Sequence, residues 1–201
     1  MTLIAFVGAF PVAVLLALGR RSAMGGIRLF STVVVEVMRG VPFIAVLYVV
    51  MLLVPLALPA ELTMGKLARA LAGMTLFIAA YMAEIVRAGL QAVPAGQAEA
   101  AGALGFGYWG TLRRVVLPQA LRAVIPSFVN LGTGLFQETT LVVVIGMFDF
   151  LNAARVAATD PAWLGFYDEA FAFAAAVYFV VCLAASRYSL WLEARLRPPG
   201  R

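Results

Sequence analysis

The sequence predicts an all-α protein, a polytopic bundle of helices that crosses a membrane about five times. Of the 201 residues, 64% are hydrophobic and only 12% are charged, and the mean hydropathy is +0.98. A soluble domain carries about 25% charged residues, so lipid rather than water must surround most of this chain. Within lipid, only helices and closed barrels satisfy their backbone polar groups. The apolar stretches are long and unalternated, which favours helices.

Five apolar stretches are candidates for membrane spans, since a helix needs about 20 residues to cross the hydrocarbon core. The first has only about 16 residues and starts at the initiator Met. We therefore expect that the natural chain begins earlier or is shortened, and an arrangement of four spans, with the first stretch at the interface, is the alternative. The predicted spans are 3–18, one within 29–58 that has Arg39 near its start, 67–90, 120–147 and 170–192.

Arginine and lysine are unevenly shared between the two sides of these spans. Because cytoplasmic loops carry the excess of basic residues, the N-terminus is expected outside and the C-terminus in the cytoplasm, with either number of spans. The cytoplasmic group contains Arg20, Arg21, Arg28, Arg39, Arg87, Arg113, Arg114, Arg122, Arg187, Arg195, Arg197 and Arg201. The outer group contains Lys66, Arg69 and Arg155, with the acids Glu61, Asp149, Asp160, Asp168 and Glu169.

Several classes of function are excluded by composition. The net charge of +5 follows from the topology, and no stripe of basic and aromatic residues points to nucleic acid. Histidine is absent, which removes imidazole metal sites and His-based triads, and we predict no metal site. Cys182 is the only cysteine, so no internal disulfide can form. A membrane-embedded enzyme would need a nucleophile or metal cluster, and we predict that the chain is not an enzyme.

A polar segment, residues 94–118, interrupts the apolar sequence. Pro94 and Gly96 are expected to break the third helix, and 97–104 is alanine-rich enough for about two helical turns. Glu99 is expected in the first turn, where a carboxylate favours the helix dipole. Gly105 suits a left-handed helix end, and Pro118 suits the start of the next helix. An ordinary amphipathic helix lying on the membrane is the alternative.

The spacing in this segment resembles the cytoplasmic coupling motif of ABC importer permeases. The motif comprises Glu99-Ala100-Ala101, three residues, Gly105, nine residues, Val115, one residue and Leu117-Pro118. The resemblance implies a single permease domain over 1–201 in a bacterial inner membrane, with its N-terminus periplasmic. It also implies a separate ATPase dimer that grips the segment, a second permease subunit, identical or homologous, and a periplasmic binding protein. No cofactor is then expected on this chain, with ATP and Mg²⁺ on the ATPase, and no GxxxxGK[ST] loop occurs here.

Further motifs resemble the branch of that superfamily that carries polar amino acids. They are Arg39-Gly40-Val41-Pro42, the run 81–90 and the run 137–141. The run 145–151 is most similar to the general L-amino-acid permeases that serve acidic and amide amino acids. Many relatives have a lysine before the acid at 138, whereas this chain has Gln137, so no role of that lysine carries over.

Charged residues within the spans are candidates for a gate or a substrate path. Glu36 and Arg39 are three residues apart, as are Glu84 and Arg87, so each pair shares a helix face and forms either a structural ion pair or part of a cytoplasmic gate. Glu138 precedes Asp149 by eleven residues, which places it about 16 Å inside the outer end of a helix.

A lone acid that deep in a span is a functional candidate by default. Glu138 is expected either to pair with the ammonium of an amino acid or to hydrogen-bond a neighbouring helix. Thr139 and Thr140 would line the same path or cap backbone carbonyls. Gly132 and Gly134 are expected to allow close helix packing, and 152–167 is expected to form an outer loop or surface helix.

Three functions remain compatible with the sequence. The favoured one is the permease subunit of an ATP-driven importer of polar L-amino acids, with acidic and amide amino acids preferred. A secondary transporter would predict an internal repeat and discontinuous helices around a midplane site, and we find no such repeat. An inactive structural membrane subunit would keep the coupling motif, so the sequence does not separate it from an active permease.

Overall fold

The computed structural model describes residues 1–57, 59, 64–163 and 165–196, and within these ranges the chain is helical with no strand. Glu61, Arg197 and Arg201 lie outside the described residues. The helices are α1 (Thr2–Gly19), α2 (Gly25–Gly40), α3 (Phe43–Ala57), α4 (Lys66–Ala92), α5 (Ala95–Ala103), α6 (Tyr108–Ile145), α7 (Phe150–Ala158) and α8 (Tyr167–Leu196).

Four of these helices, α1, α4, α6 and α8, are long and apolar enough to cross a membrane. A fifth crossing exists if α2 and α3, which meet at 107°, count as one broken span. The all-α fold with about five spans is thus confirmed. The first predicted span is observed nearly as expected, whereas α8 begins at Tyr167, three residues before the predicted start.

The second span is not the continuous helix that its apolar sequence predicted. The bend falls at Val41 and Pro42, after Gly40 ends α2. Val41 is extended (φ −107°, ψ 135°) because the ring of a following proline disfavours the helical region for the residue before it. The motif that begins at Arg39 therefore lies at a corner between two helices and not near the start of one span.

Two prolines lie directly after π-helical turns. The N–H of Val54, before Pro55, donates to the carbonyl of Val49, and the N–H of Leu117, before Pro118, donates to that of Leu112. Each bond spans five residues instead of four, and such single wide turns inside α-helices are π-bulges. They accommodate the following proline, which has no N–H to donate and whose ring clashes with the carbonyl four residues back.

The helix of the fourth span begins earlier than the predicted span, because α6 runs continuously from Tyr108 whereas the span was predicted from residue 120. Pro118 lies in the first turn of the α-helical part, Leu117–Glu138, but it does not begin a separate helix. The other end also differs, because the last turns tighten into a 3₁₀-helix, Thr139–Ile145, and Gly146 ends them in the left-handed region (φ 67°).

Asp149 is not the outer end of α6 but caps α7, accepting hydrogen bonds from the N–H groups of Leu151 (3.1 Å) and Asn152 (3.0 Å). The expected surface helix is thus observed as α7.

Small residues hold the centre of the bundle together. Ala5, Ala9, Ala13 and Ala17 recur every four residues along α1 and are completely buried, and α1 packs mainly against α4. On α4, a Cβ added at Gly89 would lie 2.6 Å from the carbonyl oxygen of Ala120 in α6. Such close approach is typical of helices that associate in membranes through small residues.

The two predicted packing glycines of α6 behave differently. A Cβ at Gly132 would meet the ring of Phe6 at 3.3 Å, so this glycine does allow α1 to pack closely. Within the described chain, a Cβ at Gly134 would meet nothing within 4 Å. The prediction is confirmed for Gly132, and for Gly134 no close packing is observed within this chain.

The direction of each crossing follows from contacts between helices. Arg20, just after α1, pairs with Glu84 near the end of α4, so α1 and α4 run the same way. Lys66, at the start of α4, reaches Gly146 at the end of α6, so α6 runs back. Ser189 of α8 contacts Pro126 of α6 at 3.3 Å, while the ring of Tyr178 packs 5.2 Å from Phe136, so α8 is antiparallel to α6. The N-terminus and α5 consequently lie at opposite ends of the bundle.

Candidate functional site

The polar segment between α4 and α6 folds as a short exposed helix. Pro94 precedes α5, whose nine residues run from Ala95 to Ala103. Glu99 is the fifth of these residues, so the prediction that it lies in the first turn was wrong, because the helix begins directly after Pro94. Glu99 and Ala100 are exposed, whereas Ala101 is 3% exposed and packs inward.

Gly105 ends α5 in the left-handed conformation, as its residue type predicted, with φ of 82°. Its N–H donates to the carbonyl of Gly102 (2.9 Å), and the N–H of Phe106 donates to that of Ala101 (3.1 Å). This pair of bonds is the Schellman motif, which satisfies the free carbonyls at a helix end. The chain therefore turns sharply after α5, and the turn depends on a residue without a Cβ.

The turn presents a large apolar surface that no sequence motif had indicated. Leu104 is 79% exposed, Tyr108 71% and Trp109 61%. The guanidinium groups of Arg113 and Arg114 each lie 5.7 Å from the ring centres of Trp109 and Phe106, respectively. Exposed apolar patches of this kind mark contact surfaces, and arginines beside a patch are typical of a position at or beyond the membrane surface.

The end of the predicted motif lies beside its beginning. The side chain of Gln119, next to Pro118, donates to the side-chain oxygen of Gln97 in α5 (3.1 Å) and to the carbonyl of Val115 (3.0 Å). Leu117 is half-buried and Pro118 is exposed. The side chain of Gln119 thus connects α5 with α6 directly.

Charged side chains form a cluster at the same end of the bundle, with Glu84 at its centre. Glu84 accepts from the side chain of Arg87, from Arg20 at 2.8 Å and lies 4.0 Å from Arg39. Arg20 also donates to Glu36 at 2.9 Å. Three helices therefore meet through three arginines and two glutamates, a set whose net charge is +1.

Only one of the two predicted pairs forms. Glu84 and Arg87 pair as their spacing predicted, but among the described residues Glu36 and Arg39 form no ion pair with each other. Each contacts another helix, Glu36 through Arg20 and Arg39 through Glu84. The Arg39 guanidinium also lies 5.7 Å from the ring centre of Tyr81. The prediction did not include Arg20, which tertiary packing places between Glu36 and Glu84 and which pairs with both.

Glu138 lies where the α-helical part of α6 becomes 3₁₀-helical. Its side chain is half-buried, and no hydrogen bond or ion pair to its carboxylate exists among the described residues. Gly146 lies eight residues after it, which is about 16 Å at the rise of a 3₁₀-helix. The depth is close to the expected value, although the helix ends before Asp149.

The neighbours of Glu138 have local partners. The hydroxyl of Thr139 donates to the carbonyl of Phe136 (2.7 Å), and that of Thr140 donates to the carbonyl of Gln137 (3.0 Å). Both threonines thus cap carbonyls in this conformation, which is the second of their two predicted roles. The Gln137 amide contacts the sulfur of Cys182 on α8 at 3.3 Å.

Two cations at the opposite end of the bundle bind backbone carbonyls of irregular segments. Lys66 donates to Gly146 (3.0 Å), where α6 ends. One turn further along α4, Arg69 donates through Nη1 to Met51 (3.2 Å) in the π-turn of α3. In an α-helix the N–H of residue 55 would donate a hydrogen bond to the Met51 carbonyl, but residue 55 is a proline without an N–H. The Nε of Arg69 is buried without a hydrogen-bond partner.

A groove of about 530 Å³ lies between α7 and α8. Its lining is almost wholly alanine and aromatic, including Phe150, Trp163 and Phe173, with Glu169 as the charged member. An apolar lining of this kind offers no partner for the two charges of a polar amino acid. The groove is therefore not the candidate path.

Comparisons with known proteins identify the family. A model for the inner membrane component of binding-protein-dependent transport systems matches residues 9–198. The chain belongs to this family. The predicted recognition is confirmed, and so is the predicted fold. A crystal structure of an amino acid ABC transporter with histidines is similar at a TM-score of 0.82 and 28% identity, covering 96% of this chain and 88% of that one.

Three relatives are named as amino-acid permeases. The inner membrane amino-acid ABC transporter permease protein YhdY of Escherichia coli is 50% identical over 94% of this chain and 51% of its own length. The glutamate/glutamine/aspartate/asparagine transport system permease protein BztC of Rhodobacter capsulatus is 43% identical over 98% of this chain and 46% of its own length. The chain spans about half the length of these two. The glutamate/aspartate import permease protein GltK of Escherichia coli is 37% identical over 90% of this chain and 82% of its own length.

We predict that Glu84→Gln destabilises the bundle, because three arginines lose their shared carboxylate. Removing one partner of a buried pair costs about 3–5 kcal/mol, and we expect about half of that here because the Glu84 side chain keeps 24% exposure. Thermal unfolding in detergent should shift downwards by several degrees. Glu99→Gln, at an exposed acid, is the control and should leave the midpoint unchanged. Equal midpoints for both variants would contradict the role of the cluster.

Proposed function

We propose that the chain is the permease subunit of an ATP-driven importer of polar L-amino acids, with acidic and amide amino acids preferred. The observation that carries the proposal is the exposed helix α5, ended by Gly105 at a positive φ and followed by an apolar patch. Such a surface suits a groove in a partner outside the membrane. The names of BztC and GltK, which mention glutamate and aspartate, support the preference.

The partners follow from this assignment. An ATPase dimer binds α5 and the patch around Leu104, and it carries ATP and Mg²⁺, while this chain holds no cofactor. A second permease subunit, identical or homologous, completes the pathway, and a periplasmic binding protein delivers the amino acid. No covalent chemistry takes place on the chain. The cargo crosses as helices that surround the path open alternately to either side.

Coupling then depends on contacts within this chain. Closure of the ATPase dimer displaces α5, which moves the start of α6 through Gln119 and Ala101. The same helix carries Glu138 some 20 residues later, so one continuous element joins the ATPase surface to the path. The Glu84 cluster lies at the cytoplasmic end, where breaking and re-forming its ion pairs would accompany opening.

We place the N-terminus in the periplasm and the C-terminus in the cytoplasm of a bacterial inner membrane. The distribution of basic residues supports this orientation, because the end of the bundle with α5 also holds Arg20, Arg39, Arg113 and Arg114. The opposite end holds Lys66 and Arg69. An excess of arginine marks the cytoplasmic side.

Within the path, Glu138 is the residue that we assign to the ammonium of the amino acid. An acid inside a span faces a cavity or a partner, and among the described residues it has no ionic partner. A bound ammonium would supply one. Thr139 and Thr140 are placed beside it, with hydroxyl oxygens that retain acceptor capacity while they cap the helix.

Gly105→Leu should uncouple the transporter. A side chain at a positive φ costs about 1–2 kcal/mol, so the turn after α5 would rearrange and the docking surface would be lost. The measurement is uptake into proteoliposomes that contain ATPase and binding protein, together with ATP hydrolysis stimulated by loaded binding protein. Gly107→Ala, at an ordinary φ of −70°, is the matched control. Normal uptake by Gly105→Leu would refute the proposed coupling role.

A cysteine at Ala103 should test the orientation. In a Cys182→Ala background, Ala103→Cys is expected to react with a membrane-impermeant maleimide only from the cytoplasmic side, because Ala103 is exposed on α5. Reaction should slow when the ATPase assembles, since the residue would then be covered. Labelling of intact cells from outside would overturn the orientation.

Glu138→Gln should lower amino-acid uptake at least several-fold while assembly and basal ATP hydrolysis persist. The amide keeps the size of the side chain but removes the charge that an ammonium requires. Uptake is compared at matched protein levels, with Glu169→Gln, an exposed acid near the start of α8, as control. Unchanged uptake would reduce Glu138 to a structural role, and loss of assembly would mean that it holds the helices together.

A further inference from the structure

We propose that Arg69 binds the α-carboxylate of the transported amino acid, an inference that rests on the proposed function. Arg69 lies on the first turn of α4, at the end of the bundle that we place in the periplasm, and is half-buried. Among the described residues it forms no ion pair. Cations within membrane proteins normally pair with acids or backbone carbonyls or mark a substrate path. Arg69 binds one carbonyl but no acid among the described residues, so its charge is available to an anionic ligand.

The hydrogen bonding of the guanidinium supports a carboxylate in particular. Nη1 donates to the carbonyl of Met51. Nε is buried and has no partner. The side of a guanidinium that contains Nε presents two parallel N–H groups, and this side binds a carboxylate in a bidentate manner. The structure thus leaves unused the edge that matches the anionic end of an amino acid.

Arg69 and Glu138 lie at different depths along the bundle. Lys66 binds Gly146, which aligns the start of α4 with the end of α6. From that level, Arg69 lies about 4–5 Å deeper at the rise of an α-helix, and Glu138 about 16 Å deeper at that of a 3₁₀-helix. An amino acid that enters from the end of the bundle with Lys66 would therefore meet the cation before the anion.

The competing interpretation is that Arg69 only caps the carbonyl that Pro55 leaves without its α-helical donor. Arg69→Gln separates the two, because a glutamine amide can still donate to Met51 but carries no charge. Arg69→Lys keeps the charge and Arg69→Met removes both properties. Lys66→Gln, one turn away and also bound to a carbonyl, is the matched control.

The experiment measures binding of radiolabelled L-glutamate and L-glutamine to the permease–ATPase complex in nanodiscs, without binding protein. We expect Arg69→Gln to weaken both amino acids about tenfold or more, the effect of losing one charge-assisted bond, with an unchanged unfolding temperature. Arg69→Lys should recover part of the affinity, and Lys66→Gln should bind like the wild type. The decarboxylated analogue of glutamine, 4-aminobutanamide, should compete equally weakly in the wild type and in Arg69→Gln.

Two results would overturn the assignment. If Arg69→Gln binds both amino acids normally and Arg69→Met merely unfolds at a lower temperature, Arg69 is a structural cap. If only glutamate binding weakens, Arg69 contacts the side-chain carboxylate instead. Absence of uptake by the wild type in proteoliposomes with ATPase and binding protein would be a different failure, since it would refute the proposed function itself.

Discussion

Close packing of α1 against α4 is the contact on which the rest of the structure depends. Four alanines, from Ala5 to Ala17, form a completely buried stripe without bulk, so the two helices lie side by side along most of their length. That alignment brings Arg20 to Glu84. It also leaves the other face of α4 for α6, where Gly89 permits backbone contact with Ala120. In lipid, packing of this kind replaces the hydrophobic effect as the force between helices.

The fold was predictable wherever composition alone decides it. Hydropathy located the spans, because a helix in lipid must be apolar along its whole length. It did not show that α6 continues through Pro118, since a proline is typical of a helix start and only the structure shows the π-turn that accommodates its ring. The corner at Val41 was predictable, because Val41 precedes a proline and such residues disfavour the helical region. The angle between α2 and α3 was not, because it depends on where α2 packs and hydropathy does not encode this.

The candidate site, too, was predictable only in those features that depend on a single residue or on local spacing. Gly105 was predictable because a single residue type suits a left-handed helix end, and the structure places it there. The pairing of Glu84 with Arg87 followed from local spacing. The partners of Glu36 and the carbonyl bound by Arg69 were not predictable, because they lie 16 and 18 residues away along the chain. Spacing along one helix says nothing about which acid a neighbouring helix will supply.

The π-turn before Pro118 also reconciles the length of the motif with the period of the helix. Leu112 and Ala120 are both buried, yet eight steps of an uninterrupted α-helix would turn them about 80° apart. Because the wide turn takes up one residue, the effective distance is seven steps, and the two side chains differ by only about 20° in direction. The surplus residue belongs to the wide turn Leu112–Val116. It keeps the turns of α6 before Pro118 and those after it in one rotational phase.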